Sequence, residues 1–140
     1  MRLWHKDLIP VLPRQQLLGQ WRECCLIAKN IAEKGTPNHL LVNRIMDYPI
    51  SHLWEYGYLL YGEMQNRGYK CDFDRFEQLF NKPWALKVPM YCELFSGWHN
   101  NHYFMQCFFN LQEKYDCGGI PEEDWKKIER CMHDKYFDAY

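Results

Sequence analysis

The 140-residue chain has no run of about twenty apolar residues, and without one a membrane-spanning helix is excluded. No apolar stretch follows the charged start Met1-Arg2-Leu3-Trp4-His5-Lys6-Asp7, which argues against an ordinary secretion signal. Low-complexity segments and internal repeats are also missing. The 7 Pro and 8 Gly are scattered as punctuation, so no linker divides the chain, and a single domain over residues 1–140 is expected. No C-x-x-C pair occurs. The 7 Cys are odd in number, and Cys24 and Cys25 are adjacent, a poor basis for a disulfide framework; thiols in a reducing cytoplasm are the expectation. No segment alternates apolar and polar residues at period two, which leaves no signal for a sheet. Nor is there a large excess of one charge. A formal net charge of −1 speaks against a strongly basic nucleic-acid binder.

What is present is a foldable composition, 47% hydrophobic and 25% charged, with a high aromatic share of 17%. The near-neutral total hides a split. Residues 1–44 hold seven Lys/Arg against three Asp/Glu, and residues 45–140 hold ten against fifteen. A basic first third on an acidic body is compatible with a local phosphate-binding face made by Arg2, Arg14, Arg22 and Arg44. Helical periodicity dominates the pattern. A first helix is predicted from about Pro13 to Lys34, opened by proline and closed by Gly35. Its apolar stripe is Leu17, Leu18, Trp21, Cys24, Cys25, Ala28, Ile31 and Ala32. Further helices are predicted over about 49–67, 72–80, 98–115 and 121–136, with 82–93 irregular. The expected fold is all-α, a compact single-domain bundle of about four to five helices behind a short N-terminal arm.

Two residues of the first helix do not serve that stripe. Gly19 sits mid-helix, where glycine costs roughly 1 kcal/mol relative to alanine. Glu23 lies one turn later, and helical side chains lean toward the N-terminus. The carboxylate is therefore predicted to project over a gap at Gly19, open to a ligand or to the chain's own first residues. The competing reading is close helix packing at Gly19 and a solvated Glu23.

The run Leu12-Pro13-Arg14-Gln15-Gln16-Leu17-Leu18-Gly19-Gln20-Trp21-Arg22-Glu23, preceded by Met1-Arg2-Leu3-Trp4, resembles the opening of the pyrimidine-dimer DNA glycosylase (phage endonuclease V-like) family. A second stretch, Glu63-Met64-Gln65-Asn66-Arg67-Gly68-Tyr69, is similar to a helix end of that family. The resemblance covers roughly the first half of the chain. It implies a DNA repair enzyme, both glycosylase and abasic-site lyase, acting on damaged double-stranded DNA without a cofactor or an obligatory protein partner. In that family the N-terminal α-amine attacks C1′ of the damaged nucleotide, displaces the base, and forms an imine that undergoes β-elimination. By position Met1 supplies the amine, Glu23 the proton-handling carboxylate, and Arg2 and Arg22 DNA-binding guanidinium groups. Two departures stand out. Arg2 is too large for removal of the initiator methionine to be expected, and Gln16 stands where phage members have histidine. A pyrimidine dimer is thus one candidate lesion among several.

Trp4, Gln15, Gly19 and Trp21 are candidates for lining such a site, since aromatic rings stack on exposed bases. The other aromatics, Trp54, Tyr56, Tyr58, Tyr61, Tyr103, Phe104, Phe108 and Phe109, read mainly as core. His99 and His102, three apart, offer an alternative: a metal-dependent hydrolase, with His5, His52 or Glu55 as further ligands. A third class is a non-catalytic nucleic-acid or protein-binding module of the same fold.

Overall fold

In a computed structural model of the chain, residues 2–137 are described, and among them there is no strand. Five α-helices form the frame: α1 (Arg14–Lys34), α2 (Ser51–Asn66), α3 (Phe73–Glu77), α4 (Asn101–Asp116) and α5 (Glu122–Phe137). Pro13 precedes α1, and Gly35 closes it in the left-handed region at φ 77° with its N–H on the Ile31 carbonyl, a conformation in which a side chain would be strained. Asn100 caps α4 by accepting the Tyr103 N–H, and three acidic residues open α5, where they complement the helix dipole. The all-α expectation and the main helix boundaries agree with the structure to within a few residues. The difference lies in three short 3-10 helices among the described residues, Lys6–Val11, Asn43–Asp47 and Pro83–Ala85, in stretches too short to carry a periodic signal.

The α1–α2 pair is the most extensively packed, and the 3-10 helix Lys6–Val11 lies against both α2 and α5. One continuous core joins Leu3, Leu17, Ile27, Tyr56, Phe104 and Ile128, so the arm is part of it. The buried face of α1 is Leu17, Gln20, Cys24, Ile27 and Ala28. Relative to the predicted stripe, this face is turned by about 60° at 100° per residue, away from Leu18 and the exposed Ala32 and toward Gln20. The arm causes the turn, because it covers a side of α1 that the sequence pattern leaves polar. Two aromatics expected in the core, Tyr58 and Phe109, are instead 47% and 55% exposed. Among the described residues no helix is long and apolar enough to cross a membrane.

Candidate active site

The arm of residues 2–5 runs along α1 as extended chain, with no neighbouring strand to satisfy its backbone. Side chains take the strand's place. Gln20, 1% exposed, accepts the Trp4 N–H at 2.6 Å and donates to the Arg2 carbonyl at 2.7 Å. Tyr103 donates to the Leu3 carbonyl at 2.5 Å and Tyr56 to the Trp4 carbonyl at 2.6 Å. The Arg2 N–H points at Glu23, 3.5 Å from Oε2, and Gln20 Nε2 lies 3.3 Å from the same oxygen. Burial of Tyr56 and Tyr103 pushes both hydroxyls well above the usual range, so they remain donors at any ordinary pH.

Glu23 is therefore half-buried at the end of the arm. A Cβ added at Gly19 would meet only Arg22 Nη2, at 3.9 Å. Close helix packing at Gly19 is thus not the reason for the glycine, and open space lies beside the carboxylate. Met1 lies outside the described residues, so the geometry stops at Arg2.

The other candidates are spread more widely. Trp4 is 7% exposed, with the Arg2 guanidinium 5.4 Å from its ring centre; it builds the floor under the arm rather than a free stacking surface. Trp21 projects from the far side of α1 against Phe76, ring centres 5.3 Å apart, and the structure does not bring it to Glu23. Gln15 borders a surface cavity of about 400 Å³ between the start of α1 and residues 118–121. Arg44 sits 5.8 Å from the Trp98 ring centre, and its charge and that of Arg2 both act on Tyr103. Arg14 lies elsewhere, 5.2 Å from the Tyr69 ring centre, and Arg22 is exposed on α1. The second family-like stretch proves to be a staple. Arg67 binds Glu63 at 2.8 Å and the carbonyls of Leu12 and Pro10 at 2.8 and 3.1 Å, fixing the chain where it enters α1.

A buried polar cluster underlies the arm. His5 and His99, 1% and 7% exposed, stack with ring centres 5.1 Å apart. His99 Nδ1 accepts the Lys6 N–H and His5 Nδ1 the Asp7 N–H, each at 3.0 Å. An acceptor at Nδ1 leaves the proton of a neutral ring on Nε2. Burial, against the pull of Asp7, lowers His5 to about 4; burial, helped by His5 and Lys6, lowers His99 to about 2. Asp7 is held below its usual range: burial opposes ionisation, but hydrogen bonds from Lys135 and Tyr91 outweigh it. His99 and His102 do not form a pair, because His99 is buried ahead of the α4 cap and His102 is exposed in the first turn. Among the described residues no three His, Cys, Asp or Glu side chains converge as a set able to hold a metal. Gln20 carried no role in the sequence analysis, where His5 figured only as a further metal ligand and Tyr56 and Tyr103 as core. The one signal available was a glutamine at the i+3 and i−4 positions of Leu17 and Cys24, inside an apolar face.

A family model described as pyrimidine dimer DNA glycosylase matches residues 1–76, more than half of the chain. The chain belongs to that family. The matched part comprises the arm, α1, α2 and most of α3 of this glycosylase; α4 and α5 lie beyond it. No curated protein and no solved structure gives a match. The family is one of DNA repair glycosylases, and DNA is the substrate it implies.

Proposed function

We propose that the chain is a single glycosylase domain over residues 1–140. It acts on damaged double-stranded DNA in a reducing cytoplasm, with the Met1 α-amine as nucleophile and Glu23 as the proton-handling carboxylate. The observation that carries this reading is the 3.5 Å approach of the Arg2 N–H to Glu23 Oε2, which sets the described start of the arm at the carboxylate. Neutral amine attacks C1′, the C1′–N bond breaks, and the base departs with the bonding electrons and a proton. The nitrogen lone pair then forms the C1′=N bond as the ring C1′–O4′ bond breaks and O4′ takes a proton. The imine undergoes β-elimination, in which C2′ loses a proton and the 3′ phosphate leaves. The pKa of a terminal amine is about 7.7–8.0 against about 10.4 for lysine, so roughly a tenth of it is neutral at pH 7. Glu23 beside it favours the cationic amine, and its return is proton transfer and stabilisation of the cationic imine. Arg2 and Arg44 would hold phosphate on one side of the site, with Arg14 and Arg22 extending contact along α1.

Borohydride reduction in the presence of duplex DNA carrying an abasic site tests this. The expected outcome is a covalent protein–DNA adduct that disappears when the α-amine is acetylated or tagged, with every lysine intact. An equal yield from the blocked protein would make a lysine the nucleophile. No adduct from either protein would favour the non-catalytic binding module.

A further inference from the structure

We infer that Gln20 is a positioning residue for this reaction: its buried amide sets the arm's register against Glu23, and through it the place of the terminal amine. The inference rests on the glycosylase/lyase reading above. A buried primary amide is retained only where its donors and acceptor are satisfied, and every partner of Gln20 lies in the arm, in Glu23, or on the Tyr56 hydroxyl 3.0 Å away. Accepting from Trp4 N–H while donating to Arg2 C=O is the pattern that one residue of an adjacent parallel strand would supply. A single side chain thus replaces a strand, and it does so at the end of the arm nearest the proposed nucleophile.

Retention of the arm does not depend on Gln20 alone. Leu3 and Trp4 are buried, and Tyr103 and Tyr56 hold the Leu3 and Trp4 carbonyls. What Gln20 adds is contact with Arg2, together with the 3.3 Å approach of the same nitrogen to Glu23 Oε2. One amide therefore orients both partners of the proposed chemistry, so its loss should disturb their relative placement more than the fold.

The test compares wild-type protein with Gln20→Met, which keeps the length of the side chain and removes the amide. Three quantities are measured: helical content by circular dichroism, affinity for duplex DNA containing a tetrahydrofuran abasic analogue, and the single-turnover borohydride-trapping rate at saturating abasic DNA across pH. The expected result is unchanged helicity and affinity, with a trapping rate lower by about ten- to hundredfold, as for a misplacement of about 1 Å. The rate profile should also move to lower pH, because an amine no longer held against a carboxylate titrates lower. If Gln20→Met does not fold, Gln20→Glu carries the test, since it keeps the acceptor for Trp4 and loses the donor to Arg2. A folded variant with wild-type rate and pH profile overturns the inference, as does a loss confined to affinity. A wild-type protein that gives no adduct, or the same adduct after acetylation, overturns the parent reading instead and the inference with it.

Discussion

At the scale of single residues, Glu23 carries the proposed chemistry while contributing little to the fold. It is half-buried at the edge of α1, and its contacts are with the Arg2 N–H and the Gln20 amide. Glu23→Gln keeps the shape and removes the charge. Lyase turnover should fall about a hundred- to ten-thousandfold, the usual reach of general acid–base catalysis, with the melting temperature little changed. Some trappable imine should survive, because Met1 supplies the nucleophile. A variant with full turnover on abasic DNA would remove Glu23 from the mechanism.

At the scale of elements, α2 carries two glycines with opposite roles. Gly57 is buried, and a Cβ there would come within 2.4 Å of the ring of Phe76, which packs α3 onto α2. Gly57→Ala should therefore force Phe76 aside and cost about 1–3 kcal/mol, as overpacked cores do. Gly62 has nothing within 4 Å of the corresponding position. Gly62→Ala should instead stabilise by up to about 1 kcal/mol through helix propensity. Chemical denaturation of the two variants beside wild type checks both signs. Equal effects would mean that α3 does not sit on α2 as described.

At the scale of the whole molecule, the cluster beneath the arm couples stability to acid. His5 and His99 are held neutral by burial, His5 near 4 and His99 near 2, while their unfolded counterparts take up protons below about pH 6.5. The unfolded state then binds more protons, so stability is complete above that pH and is lost as pH falls. For His5 alone the loss by pH 5 is about 2 kcal/mol, to order of magnitude. The depressed carboxyl of Asp7 acts in the same direction at lower pH. Thermal melting at pH 7 and pH 5 should show the drop, and His5→Phe should reduce it; a flat profile would contradict the buried neutral pair. DNA binding makes its own demand on the whole surface. With about four arginine–phosphate contacts, affinity should fall roughly a hundredfold between about 50 and 200 mM salt. Arg44→Ala should lessen that slope by about one contact, measured by titration with fluorescent duplex DNA.

Helix type and extent were legible in the sequence because periodicity, Pro13, Gly35, Gly68 and the acidic start of α5 are local signals, and each helix closes its own backbone hydrogen bonds. Glu23 was legible for the same reason, through its spacing from Gly19 and its place in a family pattern. The arm was not. An extended segment without a partner strand carries no periodic signal, and its backbone is satisfied by residues 16 to 100 positions away along the chain. Only tertiary packing could turn the buried face of α1 toward Gln20, place Trp21 on the side away from Glu23, and draw His99 from a predicted pair with His102 into a stack with His5. Each of these depends on contacts distant in sequence, where free energy is decided by what buries a polar group and what satisfies it.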